Sequence, residues 1–336
     1  MKIPLPTTSL SMLLIGASIV GIPAASGGCA EGVSPTPNED PPEPTAQAVT
    51  TQPISNVACL RKAALDLTER GPSAQEIDSV KSGAKSLGDV VDEYLSTPAF
   101  SDISLHWFLD KFEPTALVPA SADKQEPARI AQYLITNDID FRELVTAEYS
   151  VGTDMTRRPI GPTAAGILST QTYLSAYTGL ENRNWGGQVI RGLTGVVLVP
   201  VSEVPDDIDS SKPGLAANPA CAGCHVNPIY GVDYAASFHD CYNDSGLPIS
   251  GCVRQNDSQF LGQTGRTLAD LGRILAESVE WRAMMIQTFY SNLGGRQIGK
   301  NETSQYRNYE REWIAADYKP KTLIKRIVTS SQYCSR

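Results

Sequence analysis

The chain has 336 residues, 41% hydrophobic and 19% charged, an ordinary globular composition sufficient for one large or two smaller domains after processing. Its formal net charge is −9, from 28 Lys and Arg against 37 Asp and Glu, and the cations are scattered. No basic stripe is available to follow a phosphate backbone, so nucleic acid is excluded as an expected partner.

Residues 1–28 read as an export signal. Lys2 supplies a thin positive start, and Leu10 to Pro23 is an apolar run with small residues after it. The run is shorter than the roughly 20 residues needed to span a bilayer, so a cleaved signal fits better than a permanent transmembrane helix. No later segment is apolar enough to span. Ser26-Gly27-Gly28-Cys29 looks like a degenerate lipobox without its usual leucine, which makes Cys29 the candidate for lipid modification. Residues 29–55 then form a Pro-rich tether that buries too little apolar surface to fold. The expected location is outside the cytoplasm, at the periplasm, outer membrane or cell surface, with a lipid anchor.

Residues 56–199 read as an N-terminal helical domain. Leu60, Ala64 and Leu67 share one helical face, and Gly71-Pro72 stops that helix. Ser73 with Glu76 forms a capping box ahead of Ile77 and Val80. Leu87, Val90, Val91 and Leu95 mark a third helix. Thr97-Pro98 starts a fourth that carries Phe100, Ile103, Trp107 and Phe112. Pro127 starts another through Ile130 and Leu134. Asp140 and Glu143 repeat the capping pattern ahead of Leu144, Val145 and Tyr149. Helix is again expected over Thr163 to Tyr177, and over Trp185 to Leu198, where Gly186, Gly187, Gly192 and Gly195 weaken a helix but permit close packing. A short strand over Gly195 to Val201 is the alternative reading.

Residues 200–264 form a loop-rich insert. Helices return over 265–336, a C-terminal segment packing on the insert. Thr267 with Asp270 opens a helix through Leu268, Leu271 and Leu275. Trp281, Met285 and Phe289 line a second, ending at Gly294-Gly295, and Leu323, Ile324, Ile327 and Val328 close the chain. Leu87 to Phe100 faintly echoes Thr322 to Tyr333: each is an amphipathic helix stopping at a hydroxyl pair before an aromatic. The expected fold is mostly α, an irregular helical array with a loop-rich, Cys-containing insert.

That insert holds CAGCH, Cys221 to His225. In c-type haem attachment two cysteines separated by two residues add across the haem vinyl groups, and the adjacent histidine ligates iron. Gly223 supplies backbone freedom for the turn. The candidate cofactor-binding residues are therefore Cys221, Cys224 and His225, with haem c as the covalent cofactor. Candidates for the sixth iron position are Met285, Met284, His239, His106 and Met155, although Met285 on its aromatic stripe suits core packing better than ligation. A zinc site would combine Cys221 and Cys224 with two of His225, His239, Cys241 and Cys252. A thioredoxin-like dithiol lacks the βαβ context it needs, and a local disulfide remains open. Setting aside Cys29, Cys221 and Cys224 leaves four of the seven cysteines for two disulfides, with Cys241 and Cys252 the nearest pair and Cys59 and Cys334 the remainder. Asp206-Asp207-Ile208-Asp209 reads as a cation loop or a solvated linker. No nucleophile triad, P-loop or GxGxxG is present.

The order of segments also carries a likeness. LRKAALDLTERGPSAQEI (Leu60 to Ile77), YLSTPAFSDISLHWFLDKF (Tyr94 to Phe112), FRELVTAEYSV (Phe141 to Val151), AAGILSTQTYLSAY (Ala164 to Tyr177), PACAGCHVNP (Pro219 to Pro228) and LADLGRILAESVEW…LIKRIVTSSQY resemble exported planctomycete-type and myxobacterial cytochrome-like families. These are domains of unknown function that pair helical segments with a CxxCH stretch. The resemblance implies haem c on Cys221 and Cys224 with His225 as iron ligand. Asn227 to Gly231 departs from the Asp-Pro-Leu-Gly-like continuation of those families, as does the Cys-rich insert to Cys252. The expected function is electron transfer at the cell envelope with an unknown redox partner protein, an electron carrier or binding protein rather than a catalyst. The alternative is a non-haem helical binding or scaffold lipoprotein in which CAGCH is a disulfide or a zinc site, and a third option is an enzyme using an open haem position.

Overall fold

A computed structural model describes residues 55–112, 118–177, 182–198 and 223–335. The signal, the tether up to residue 54, Cys29, Asp206 to Asp209 and Cys221 lie outside the described residues.

The architecture is mostly α with an irregular arrangement, and the described residues add only two small antiparallel hairpins. The opening helices form where local side-chain chemistry closes their free backbone donors. α1 (Asn56–Thr68) is capped by Ser55, whose hydroxyl accepts from the Ala58 N–H. α2 (Ala74–Ser82) has the expected Ser73/Glu76 capping box. α3 (Leu87–Tyr94) has a second box from Ser86 and Asp89. α4 (Pro98–Phe112) starts where the Thr97 hydroxyl accepts from the Phe100 N–H, and α5 (Glu126–Thr136), with Pro127 near its start, packs against it.

Three expectations need correction. The stretch from Asp140 to Tyr149 is helical only over α6 (Glu143–Thr146); Ala147 then turns extended and Tyr149 enters β1 (Tyr149–Val151), which pairs with β2 (Arg157–Pro159). The Tyr149 ring is drawn off the helix to stand edge-on to Tyr133, under the Arg157 guanidinium. Thr163 to Tyr177 is not one helix but a 3-10 turn, Gly166–Ser169, followed by α7 (Gln171–Ser175). The break is Thr170, extended at φ −70 and ψ 139, whose hydroxyl caps α7 by accepting from the Tyr173 N–H. The Trp185 to Leu198 helix is α8 (Arg183–Val189) running into a π turn, Ile190–Thr194; no strand forms over 195–198, and the rest of the strand alternative is outside the described residues.

Beyond the insert, α9 (Val232–Ser237) precedes a hairpin of β3 (Ser258–Phe260) and β4 (Gln263–Gly265). α10 (Leu268–Glu277) carries the expected Thr267/Asp270 capping box, and α11 (Val279–Gly294) ends at Gly295 in the left-handed conformation. α12 (Thr303–Ala315) went unforeseen because only Tyr309 and Trp313 are fully buried, which leaves no apolar period to read. α13 (Pro320–Val328) and α14 (Ser331–Cys334) finish the fold.

One buried apolar cluster extends from Cys59 to Tyr333. At its centre Phe108, Phe141, Trp281, Phe289 and Trp313 are fully buried, with Phe141 and Phe289 ring centroids 5.1 Å apart and Trp281 stacked on Trp313 at 6.0 Å. Truncating any one of these rings to alanine costs about 3–5 kcal/mol on the usual scale for buried aromatics. A Cys59–Cys334 disulfide joins α1 to α14.

Candidate functional site

Residues 223–225 are helical, and Cys224 is a free, exposed thiol. Gly223 faces open space, with nothing within 4 Å of the position a Cβ would take, so no close approach requires it. His225 is held from behind. Its Nδ1 lies 2.9 Å from Asp233 Oδ1, in the first turn of α9, and the same oxygen accepts a 2.7 Å hydrogen bond from Arg183 Nε at the start of α8. The Arg183 side chain is only 9% exposed, against 21% for Asp233 and 23% for His225, so the carboxylate sits between a buried cation and the ring. With the proton on Nδ1 and donated to Asp233, the Nε2 lone pair is the ring's free ligating position; it has no hydrogen-bond partner among the described residues.

Two helices fix this arrangement. α8 and α9 approach so closely at Gly186 that a Cβ there would stand 2.6 Å from the Val232 carbonyl oxygen and 2.8 Å from the Ala236 nitrogen. The turn between His225 and α9 is equally tight. Gly231 N–H donates to the Asn227 carbonyl at 2.7 Å, and a Cβ on Gly231 would meet the His225 carbonyl oxygen at 2.9 Å. Asn227 Oδ1 accepts from the Ile229 and Tyr230 N–H groups, a local turn that only a short side-chain acceptor closes. Backbone bonds from Leu261 to Ile229 and from Gly262 to Pro228 tie the turn to the β3–β4 hairpin.

The candidates for a second iron ligand are dispersed. Met285 is fully buried in the aromatic core of α11. Met284, its neighbour, is half-buried and lines a cleft of about 380 Å³ together with Gly195, Ile298 and Tyr306. His106 is exposed on α4, and Met155 is half-buried at the tip of the β1–β2 hairpin, in the left-handed region at φ 59. His239, just beyond α9, is fully buried edge-on to Trp185; its Nε2 lies 2.9 Å from the Leu174 carbonyl oxygen and its Nδ1 has no partner among the described residues. Burial pushes its pKa below the usual histidine value. None of the five shares a hydrogen bond, ion pair or ring contact with His225.

The zinc set is overturned at its outer members. Cys241 and Cys252 are bonded to each other, so neither sulfur is a thiolate for a metal, and His239 is engaged in the core. Among the described residues no group of three or more His, Cys, Asp or Glu side chains is arranged to hold a metal ion. The four cysteines left over by the motif pair as two disulfides, Cys59–Cys334 and Cys241–Cys252.

Asp233 and Arg183 were not legible as site residues. They lie fifty positions apart, and the only sequence signal was an acidic residue eight places beyond His225 at the start of a short helix. No family model, no curated protein and no solved structure matches the chain. No helix among the described residues is long and apolar enough to cross a membrane.

Proposed function

We propose that the chain is an exported c-type cytochrome-like protein that carries electrons at the cell envelope. Cys221 and Cys224 would hold the haem covalently and His225 Nε2 would ligate its iron. The observation that carries this reading is the placement of His225: its Nδ1 lies 2.9 Å from Asp233 Oδ1, and its Nε2 has no hydrogen-bond partner among the described residues, beside an unbonded, exposed Cys224. A carboxylate behind a ligating histidine fixes the tautomer and ring plane and raises the basicity of the ligating nitrogen. Arg183 Nε donates to the same Asp233 oxygen and so orients the carboxylate behind the ring. The remaining described cysteines are paired off, which leaves the motif thiols to other chemistry.

Bound there, haem c supplies reversible one-electron transfer. The protein's own part is to hold the ring and to leave a partly open face at residue 224. Of the proposed sixth ligands, Met285 and His239 would have to leave the core to reach an iron, whereas Met284, Met155 and His106 would not. Export is supported by Lys2, the Leu10 to Pro23 run and two disulfides, which persist in oxidising compartments. Anchoring by lipid on Cys29 rests on the Ser26 to Cys29 stretch. The chain is to be expressed with a c-type haem maturation system. Haem that survives denaturing electrophoresis, and is lost when both Cys221 and Cys224 become alanine, supports the reading. A chain that carries no covalent haem overturns it.

A further inference from the structure

The Cys241–Cys252 disulfide closes a loop that does more than link two strands of chain. Its tip is pinned to α7: the Gln171 side chain donates to the Ser245 carbonyl at 3.0 Å, and Gly246, at φ +69, lies so close that a Cβ would stand 2.5 Å from the Gln171 carbonyl oxygen. Inside the loop Asn243 Oδ1 accepts from the Ser245 and Leu247 N–H groups, and Tyr242 and Pro248 form a bridge. This rigid wall faces the start of α10 across a cleft of about 280 Å³. The floor and sides are apolar, with Phe238 buried beneath, Tyr242 and the disulfide on one side, and Ile249 and Val253 at the mouth. Ile249 is 46% exposed and Val253 70%, so apolar surface stays in water at the opening of a preformed hollow.

Two guanidiniums reach this cleft, and they differ. Arg266 is neutralised by Asp257 at 2.6 Å. Arg254 is 11% exposed and packs over the Phe238 ring; among the described residues its counter-charges are Asp240, approaching at 3.8 Å, and Asp257, which acts from further off, and it donates a 3.3 Å hydrogen bond to the Arg266 carbonyl. Asp240 is itself half exposed, and a guanidinium has five N–H donors to satisfy. Arg254 is therefore a largely buried cation with a weak counter-charge, and burial pulls its pKa below the usual arginine range. The start of α10 does not compete for an anion, because Asp270 already accepts from the Arg266 and Thr267 N–H groups.

We propose that this cleft binds a small amphipathic carboxylate, its apolar body between Ile249, Val253 and the disulfide wall and its anionic head on the Arg254 guanidinium. A carboxylate there forms the charge-assisted pair that Asp240 is too distant to complete. The cleft size, just below the roughly 300–1,000 Å³ of drug-sized sites, fits a short alkyl or single aromatic body. The site is independent of the haem reading.

Isothermal titration of the purified chain with octanoate and with octan-1-ol tests it. Octanoate binds the unaltered chain at one site, and Arg254→Met, which keeps the packing on Phe238, weakens octanoate tenfold or more while changing octan-1-ol less than twofold. Val253→Asp, at an exposed position, weakens octanoate at least tenfold and stands in if Arg254→Met fails to fold. No octanoate binding to the unaltered chain, equal loss for acid and alcohol in Arg254→Met, or undiminished octanoate binding in Val253→Asp overturns the proposal.

Discussion

The contact that aligns Asp233 behind His225 is sensitive to one methyl group. Gly186 and Gly187 are neighbours in α8, and alanine is favoured over glycine in a helix by about 1 kcal/mol at either position. Their surroundings differ. A Cβ on Gly187 meets only Val232 Cγ2, at 3.9 Å, an ordinary contact. On Gly186 it meets the Val232 carbonyl oxygen at 2.6 Å and the Ala236 nitrogen at 2.8 Å, both backbone atoms that cannot swing aside. Such overpacking costs about 1–3 kcal/mol, and the propensity gain is common to both variants. Gly187→Ala is therefore expected to leave the chain as stable or up to about 1 kcal/mol more stable, and Gly186→Ala to lie about 1–3 kcal/mol below it. At about 2–4 °C per kcal/mol for a domain of this size, that difference is roughly 2–12 °C in melting temperature. Urea unfolding followed by tryptophan fluorescence at unchanged slope gives the free energies directly. Gly186→Ala as stable as Gly187→Ala would refute the close approach of α8 and α9.

The two disulfides should differ by loop length: serine at both Cys59 and Cys334, separated by 275 residues, is expected to cost about 5–6 kcal/mol, against about 3 kcal/mol for the Cys241 and Cys252 pair, separated by 11. The reverse order in denaturant unfolding would contradict the chain-entropy account. Arg70 and the capping bonds to Ser73 hold the Glu76 carboxyl down at about 2, so its folded-state value lies below its unfolded one. Its stabilisation is present above the unfolded carboxylate value near 4.5 and is lost as pH falls through about 2. Glu76→Gln should accordingly be less stable than the unaltered chain at pH 6–7 and converge with it near pH 2, and a pH-independent gap would argue against the pairing. Asp233→Asn removes the anion behind His225, and in haem-loaded protein the reduction potential should rise, since a less basic imidazole favours the oxidised iron less. An unchanged or lowered potential, measured by redox titration, would remove Asp233 from the site.

Sequence made legible what is written within one helical turn. Ser73 with Glu76, Thr97 before Pro98 and Thr267 with Asp270 each place a hydroxyl three residues from the group it serves, and all three cap helices. The echo between Leu87 to Phe100 and Thr322 to Tyr333 has the same origin: Thr97 caps α4 and Ser330 caps α14, each accepting from an aromatic residue's N–H. α12 was hidden because its exposed face is so polar that two buried aromatics leave no pattern. Tyr149 was misread because its side chain gains a ring contact and an arginine cover by leaving the helix, a tertiary effect. Of the candidate site, Cys224 and His225 were proposed from the CxxCH spacing together with the export signal and the helical frame, whereas the Arg183–Asp233 support depends on α8 and α9 meeting at Gly186.

Covalent haem on CAGCH is read from the pyridine haemochrome spectrum of protein made with a c-type haem maturation system. A c-type spectrum at one haem per chain is expected, absent when Cys221 and Cys224 are both replaced by alanine. A folded, disulfide-bonded chain with no haemochrome signal would contradict it.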